Sequence, residues 1–188
     1  GIFLSDHTKT PPSILLEYCP NNMSQMIKNK TLSRVDIVYS LYQIAEGMKY
    51  LHSQKIIHRN LKPTNILITT DGIIKISDFS LSKMITEDEL SMTLNIGKQP
   101  YTAPEIMEDE NYDNKVDVYS YGVIIYFVLN EGNLPKLSYK DFVTGKKAKL
   151  PSEFTEFAKK LIYDCWSFDP KERPSFKTIL DQIKENEF

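Results

Sequence analysis

The longest regular pattern of hydrophobic positions predicts one helix from position 33 to position 53. Apolar side chains recur there at three- and four-residue spacing, which places them on one helical face. Ser33 stands at the start of this segment and can cap the helix. The residues that carry the pattern are Val38, Leu41, Tyr42, Ala45, Met48 and Leu51.

The second half of the chain is predicted to be mostly helical. Residues 116–129 are apolar on nearly every side, which is typical of a central, buried helix. Residues 153–165 and 176–183 mix apolar and polar positions at helical spacing, which predicts two amphipathic helices.

Short apolar runs predict strands at positions 2–4 and 14–17, with a polar loop between them that ends in Pro11-Pro12. Pro20-Asn21-Asn22 breaks the chain after the second strand. Positions 58–65 contain a proline and follow neither the helical nor the strand period, which predicts a loop.

Two further β-rich runs, at positions 66–69 and 73–77, flank Asp71-Gly72 and predict a hairpin. If these two residues form the turn, the numbers of cross-strand partners add up to 143. Asn65 and Asp78 would then face each other at the open end, with Cα atoms about 5 Å apart. An amide oxygen and a carboxylate that converge in this way suit Mg²⁺. The alternative is that this end of the hairpin frays into turns.

Composition narrows the possible partners and compartments. The chain has 188 residues with 23 basic and 25 acidic side chains, so its net charge of −2 argues against a nucleic-acid partner. Hydrophobic residues make up 41%, which is enough for the packed core of one domain. No apolar run approaches the roughly 20 residues of a membrane span, so we expect no membrane insertion. The opening Gly-Ile-Phe-Leu lacks the features of a signal peptide. Two distant cysteines fit a reducing, cytoplasmic location.

Five segments, in the right order over most of the chain, resemble the signature motifs of a eukaryotic protein kinase domain. The Lys-Pro pair at positions 62–63 favours the serine/threonine type, and the last motif resembles the tyrosine-kinase-like group. The segments are the catalytic loop (58–65), the magnesium motif Asp78-Phe79-Ser80, the activation-segment end Ala103-Pro104-Glu105, the start of the central helix (117–122), and the C-terminal signature (165–176).

The resemblance implies an α+β, mainly helical fold. Residues 1–188 would form one protein-kinase-like domain, in which positions 1–19 are a short remnant of small-lobe strands with the hinge. Positions 20–188 would be the large lobe, including the catalytic-loop β-hairpin. Family structure further implies a buried Glu105–Arg173 ion pair and an Asp117 carboxylate that accepts N–H bonds from the catalytic loop. It also implies that Trp166 packs beneath the activation segment.

ATP and Mg²⁺ are the cofactors that the resemblance implies, together with a protein substrate or signalling partner. Asp78 would coordinate Mg²⁺ and Asn65 would hold a second ion, while Lys62 would neutralise charge on the transferred phosphoryl group. On the adenine side, Leu16 would be the gatekeeper, the backbone from Glu17 to Cys19 would meet the base, and Leu67 would lie beneath it. Ordinary core packing is the alternative for these apolar residues.

Three substitutions depart from the family pattern. Asn60 stands where the family has its catalytic aspartate, and a neutral amide cannot accept the proton of a substrate hydroxyl. Loss of a positioned general base typically costs about 10²- to 10⁴-fold in rate. Ser80 replaces a glycine that lets the backbone flip, and Lys98 replaces a threonine that normally bridges the catalytic aspartate and lysine.

The sequence also contains no glycine-rich loop and no strand lysine with a helix glutamate partner, so we expect weak ATP binding by this chain. Together, these features favour a catalytically impaired signalling or scaffolding module. The alternatives are an active serine/threonine kinase that tolerates Asn60, and a decayed reading frame without a stable product. In the activation segment, Arg59 would grip a phosphate on Thr93, although a solvated loop is the simpler interpretation.

Overall fold

Helices form most of the fold, and the computed structural model describes residues 2–3, 13–84, 100–107, 112–136, 148–186 and 188. This content confirms the predicted α+β, mainly helical class. The helices are α1 (Met23–Lys28), α2 (Arg34–Ser53), α3 (Pro104–Met107), α4 (Lys115–Leu129), α5 (Glu156–Cys165) and α6 (Phe176–Glu185). The strands are β1 (Ile2–Phe3), β2 (Ser13–Ile14), β3 (Asn21–Asn22), β4 (Ile56–Ile57), β5 (Ile66–Ile68), β6 (Ile74–Ile76) and β7 (Lys83–Met84).

Helix α2 confirms the helix predicted from position 33. The Ser33 side chain accepts a hydrogen bond from the backbone N–H of Asp36, whose carboxylate accepts one from the N–H of Ser33. Such a reciprocal capping box satisfies donors that a helix N-terminus otherwise leaves free. Helix α1 was not predicted, although Asn22 and Gln25 form the same kind of capping box at its start.

Helix α4 is the buried centre of the fold, as its all-round apolar sequence predicts. Every residue from Val116 to Val128 is buried. The Tyr121 hydroxyl donates to the carbonyl of Leu41 on α2 over 2.9 Å, which ties the two helices together. A Cβ added at Gly122 would lie 2.7 Å from Cβ of Cys165, so only glycine allows α5 to approach this closely.

The two amphipathic helices near the C-terminus are confirmed, and only the first of them begins later than predicted. Thr155 caps α5 and Ser175 caps α6, each by accepting a bond from a backbone N–H three residues ahead. Helix α5 therefore begins three residues later than position 153. Helix α6 packs on α2, and its Phe176 ring lies 5.0 Å from His52 and 5.3 Å from Tyr121 in edge-on contacts.

All strand pairs among the described residues are antiparallel. They form a β1–β2 pair, a β3–β5–β6 sheet and a β4–β7 pair. The strand predicted over positions 14–17 is largely wrong, because β2 ends at Ile14 and residues 15–19 have no regular structure. The loop predicted over 58–65 contains one 3₁₀ turn, Pro63–Asn65, closed by a bond from the Asn65 N–H to the Lys62 carbonyl.

The hairpin of β5 and β6 exists, but its predicted register is wrong. Cross-strand numbers add up to 142, because Ile66 pairs with Ile76. The connection is a three-residue loop in which only Gly72 has a positive φ, 77°. A two-residue type I′ turn needs positive φ at both central positions, and Asp71 does not have it. Asn65 therefore lies opposite Ser77, whose N–H donates to the Asn65 carbonyl over 2.9 Å.

A buried ion pair joins α3 to the C-terminal region, as the family resemblance implies. The Arg173 guanidinium, 1% exposed, bonds both carboxylate oxygens of Glu105 at 2.5 and 3.0 Å. It also donates to the carbonyls of Ser167 and Lys115, so its donors are largely satisfied without water. Among the described helices, none is both long and apolar enough to cross a membrane.

Candidate active site

Asp117, at the N-terminal end of the central helix, holds the loop at positions 58–65 in shape. Its side chain is fully buried and accepts backbone N–H bonds from His58 at 2.9 Å and Arg59 at 2.8 Å. His52 on α2 lies 2.9 Å from the same carboxylate. These bonds confirm the expected role of Asp117, and they hold Arg59 in a left-handed backbone conformation with φ 63°.

His58 joins this loop to the strand that leads into Asp78. Its Nε2 lies 3.0 Å from the carbonyl oxygen of Ser77, and its Nδ1 accepts a bond from the Asn60 N–H at 3.3 Å. The ring must therefore be neutral, with its proton on Nε2. Burial accordingly lowers the pKa of His58, although the Asp117 and Asp78 carboxylates and the Ser77 carbonyl favour its charged form. The Phe79 ring packs edge-on against it at 5.0 Å.

Asp78 meets the loop because its backbone turns sharply. The residue adopts the left-handed conformation (φ 64°, ψ 69°), which aspartate tolerates better than most residues. Its Oδ2 accepts bonds from Nδ2 of Asn60 at 2.8 Å and Nδ2 of Asn65 at 3.3 Å. The predicted convergence of Asn65 and Asp78 is thus present, although it comes from this turn and not from strand pairing.

Ser80, two residues after Asp78, completes the set of donors around the carboxylate. Its hydroxyl donates to Oδ1 of Asp78 over 2.6 Å. This bond is the main reason that the pKa of Asp78 lies below its ordinary value, and the nearby Lys62 ammonium lowers that pKa further. The sequence identified Ser80 as a substitution but did not predict this contact.

The oxygen ligands at this site suit Mg²⁺ in chemical type. Nδ2 of Asn65 donates to the Asn60 carbonyl at 2.8 Å and to Asp78 at 3.3 Å, so both bonds use the amide nitrogen and neither engages its Oδ1. With one carboxylate oxygen of Asp78, this amide oxygen would hold an ion that draws its other ligands from water and phosphate. Among the described residues, no group of three or more acidic, histidine or cysteine side chains is placed so that it could hold a metal ion.

Most of the residues predicted for the adenine side, namely Leu16, Glu17 and Cys19, lie on the chain that leads into β3. Leu16 is 75% exposed, Cys19 is half-buried and reduced, and Glu17 pairs with Lys75 of β6 at 2.9 Å. Leu67 is half-buried in β5, next to β3 and β6. Within the described chain, no hydrogen bond or ion pair joins this group to the residues around Asp78.

Arg59 makes contacts that the sequence did not predict. Its guanidinium donates to the Leu81 carbonyl, and its Nη1 donates to the Tyr112 hydroxyl at 3.0 Å. The expected partner Thr93 lies outside the described residues, as does Lys98. Trp166 packs against Tyr126 at 5.7 Å, and its expected contact with the activation segment also falls largely outside the described residues.

The comparison with known protein families agrees with this geometry. A sequence model described as the protein kinase domain matches residues 3–183. The chain belongs to the protein kinase family. Kinase domains generally use ATP and Mg²⁺ and act on protein substrates, so the cofactor and partner classes expected from the sequence are those of the family.

Relatives of this kinase domain include tyrosine and serine/threonine kinases. It is 35% identical to protein-tyrosine kinase 6 of Mus musculus, over 92% of this chain and 41% of the relative. A probable LIM domain-containing serine/threonine-protein kinase of Dictyostelium discoideum is 35% identical, over 84% and 25%. Mitogen-activated protein kinase kinase kinase 12 of Rattus norvegicus is 40% identical, over 73% and 16%. The chain thus spans less than half the length of these curated relatives.

Proposed function

We propose that this kinase domain is catalytically impaired and serves as a signalling or scaffolding module. The observation that carries the proposal is the Asn60 side chain, which donates to the Asp78 carboxylate at 2.8 Å. A general base must accept a proton from the substrate hydroxyl, and this amide has none of the basicity required. Asn60 can still orient a hydroxyl, so the expected defect is a large loss of rate and not necessarily complete inactivity.

The alternative is an active serine/threonine kinase, which would transfer the γ-phosphate of ATP to protein substrates. Lys62, Asn65 and Asp78 support it, because they retain the residue types that neutralise and position phosphate. The Lys62-Pro63 pair favours serine/threonine specificity within the tyrosine-kinase-like group. Charge stabilisation and positioning supply most of the catalysis in phosphoryl transfer, so these residues alone could sustain a slow reaction.

Nucleotide affinity is the second property in which we expect this domain to be weak. Leu16 is 75% exposed and Tyr18 is 82% exposed, so the described residues offer the adenine an open edge and little enclosure. Contacts in water-exposed sites are weak because solvent screens them. We propose that the domain acts in the cytoplasm through a protein partner, with ATP and Mg²⁺ contributing little.

Phosphate transfer by the full-length natural protein tests the proposal. The assay follows γ-phosphate incorporation into the protein itself and into a generic protein substrate, with Mg²⁺ and ATP in excess. An Asp78→Ala variant gives the background, because it removes the carboxylate that would hold the metal. Transfer by the natural protein that stays at this background supports the proposal. Robust transfer that Asp78→Ala abolishes would establish the active kinase instead.

A further inference from the structure

Three donors from the chain itself surround the Asp78 carboxylate. Asn60 and Asn65 bond Oδ2 at 2.8 and 3.3 Å, and Ser80 bonds Oδ1 at 2.6 Å. A carboxylate offers about four acceptor positions, so these donors satisfy most of its capacity. The Asp78 charge therefore has close, polar partners within the chain itself.

Asn60 and Ser80 are the two donors that the kinase pattern would not supply. An aspartate at position 60 would place a second carboxylate at the 2.8 Å contact with Asp78, where like charges repel. A glycine at position 80 would remove the hydroxyl altogether. The two substitutions thus act on the same carboxylate, one on each oxygen, and both convert it to a satisfied hydrogen-bond acceptor.

We propose that Asn60 and Ser80 hold the Asp78-Phe79-Ser80 segment against the catalytic loop without a metal ion. In this arrangement, the amide and hydroxyl donors supply the attraction that a bound cation would otherwise supply between two carboxylates. The inference rests on the proposed function in treating Asn60 as a replacement for an acidic residue. It makes a separate claim, however, because it concerns the order of the metal-free site and not the rate of phosphate transfer.

Amide hydrogen exchange in the full-length natural protein reports on this order directly. The Ser77 N–H bonds the Asn65 carbonyl and the Ser82 N–H bonds the Phe79 carbonyl, so both flank the proposed contact. The Gly72 N–H, bonded to the Thr69 carbonyl, reports on the far end of the hairpin and serves as an internal reference. We expect Mg²⁺ alone to leave exchange at Ser77 and Ser82 unchanged in the natural sequence.

Asn60→Asp is the variant that most directly tests the contact. It replaces a hydrogen-bond donor with a second carboxylate. When a chelator removes Mg²⁺, amide hydrogen exchange at Ser77 and Ser82 should therefore be about 5- to 30-fold faster. Millimolar Mg²⁺ should return most of this protection, because the cation can bridge the two carboxylates. Asn29→Asp adds the same charge at an exposed position between Lys28 and Lys30, and it should leave both amides unchanged.

The double variant Asn60→Asp with Asp78→Asn swaps the two side-chain types, so that the carboxylate is at position 60 and the amide is at position 78. It restores one donor facing one carboxylate, so exchange at Ser77 and Ser82 should be slow again without Mg²⁺. This arm also decides the matter if Asn60→Asp alone does not fold, because a folded, protected double variant supports the contact and an unfolded one rejects it.

Unchanged exchange in Asn60→Asp, or fast exchange that neither Mg²⁺ nor the double variant reverses, would overturn the inference. Mg²⁺-dependent protection in the natural sequence would also overturn it, because the site would then need the metal after all. Failure of the inference can be distinguished from failure of the proposed function. Robust phosphate transfer by the natural protein would reject impaired catalysis, yet it would leave these exchange results as they are.

Discussion

Two carboxylates, those of Glu105 and Asp78, are each held by several hydrogen bonds, yet they differ in their surroundings. The donors to Glu105 come from Arg173, and the donors to Asp78 come from Asn60, Asn65 and Ser80. Glu105 and Arg173 are buried and bonded twice to each other, whereas Asp78, Asn60 and Ser80 lie at an open surface. A buried charge without its partner is very costly, so such a pair tolerates little change. An exposed carboxylate can change partners at small cost. The buried Glu105–Arg173 pair thus matches the kinase pattern, whereas the residues around Asp78 depart from it at Asn60 and Ser80.

The largest expected effect is at the buried pair. Glu105→Ala strands the Arg173 guanidinium and should lower the free energy of unfolding by about 3–5 kcal/mol, measured by denaturant titration. Glu131→Ala is the matched control, because Glu131 pairs with Lys30 at 2.7 Å but both side chains are about 70% exposed. Its loss should be below about 1 kcal/mol. Equal losses in the two variants would remove the contrast between the regions.

A second prediction concerns the link between the two regions. Asp117→Asn replaces one acceptor oxygen with an N–H group, which would then face the backbone N–H of His58 or Arg59. We expect a loss of about 1.5–3 kcal/mol in the free energy of unfolding. Asp71→Asn, in the exposed hairpin turn, should change it little. A neutral result at Asp117 would mean that the loop keeps its shape without this carboxylate.

The pH dependence of stability sharpens the comparison further. Burial lowers the pKa of His58 below its ordinary value of 6.5, so near and below that pH the unfolded chain binds a proton that the folded chain does not. The stabilisation is therefore complete above pH 6.5 and is lost as the pH falls below it, by at most about 1.4 kcal/mol per pH unit. Denaturant titrations of His58→Gln at several pH values should show that its free energy of unfolding falls less steeply as the pH decreases below 6.5. If the free energy of unfolding of His58→Gln depends on pH as steeply as that of the natural protein, the proton taken up on unfolding belongs to another group.

The smallest expected effect is that of nucleotide. Mg²⁺ with ATP should hardly raise the unfolding temperature, because stabilisation by a ligand follows its affinity for the folded state. Thermal unfolding with low-millimolar nucleotide measures this, with Asp78→Ala as the reference. A rise of several degrees that Asp78→Ala removes would show that the open site binds Mg²⁺ and ATP well.

Helical segments could be predicted from the sequence because their signals are local and repeated. Ser33 and the 3.6-residue period locate α2, and continuous apolar sequence identifies α4. Helix α1 was not predicted because it has only six residues, too few for a clear hydrophobic period, although Asn22 with Gln25 is a recognisable N-terminal capping signal. The hairpin register could not be predicted, because Asp71-Gly72 is compatible with both two- and three-residue loops, which differ in the φ of Asp71.

The sequence could predict which residues form the site, but it could not predict the hydrogen bonds between them. The motifs identified Asn60, Asn65 and Asp78 together, and the structure brings them within hydrogen-bond distance. Their contact depends on the left-handed backbone of Asp78, which the surrounding fold imposes. The bond from Ser80 follows from the same turn. A sequence pattern reports which residues are present, whereas this conformation is a property of the packed structure.

The measurement that tests the central claim most directly is the rate of phosphate transfer by the natural full-length protein beside its Asn60→Asp variant, with Mg²⁺ and ATP saturating. If Asn60 is the cause of impaired catalysis, the variant should be faster by about 10²- to 10⁴-fold, the usual contribution of a positioned general base. A natural protein that transfers phosphate as fast as its Asn60→Asp variant would contradict the account.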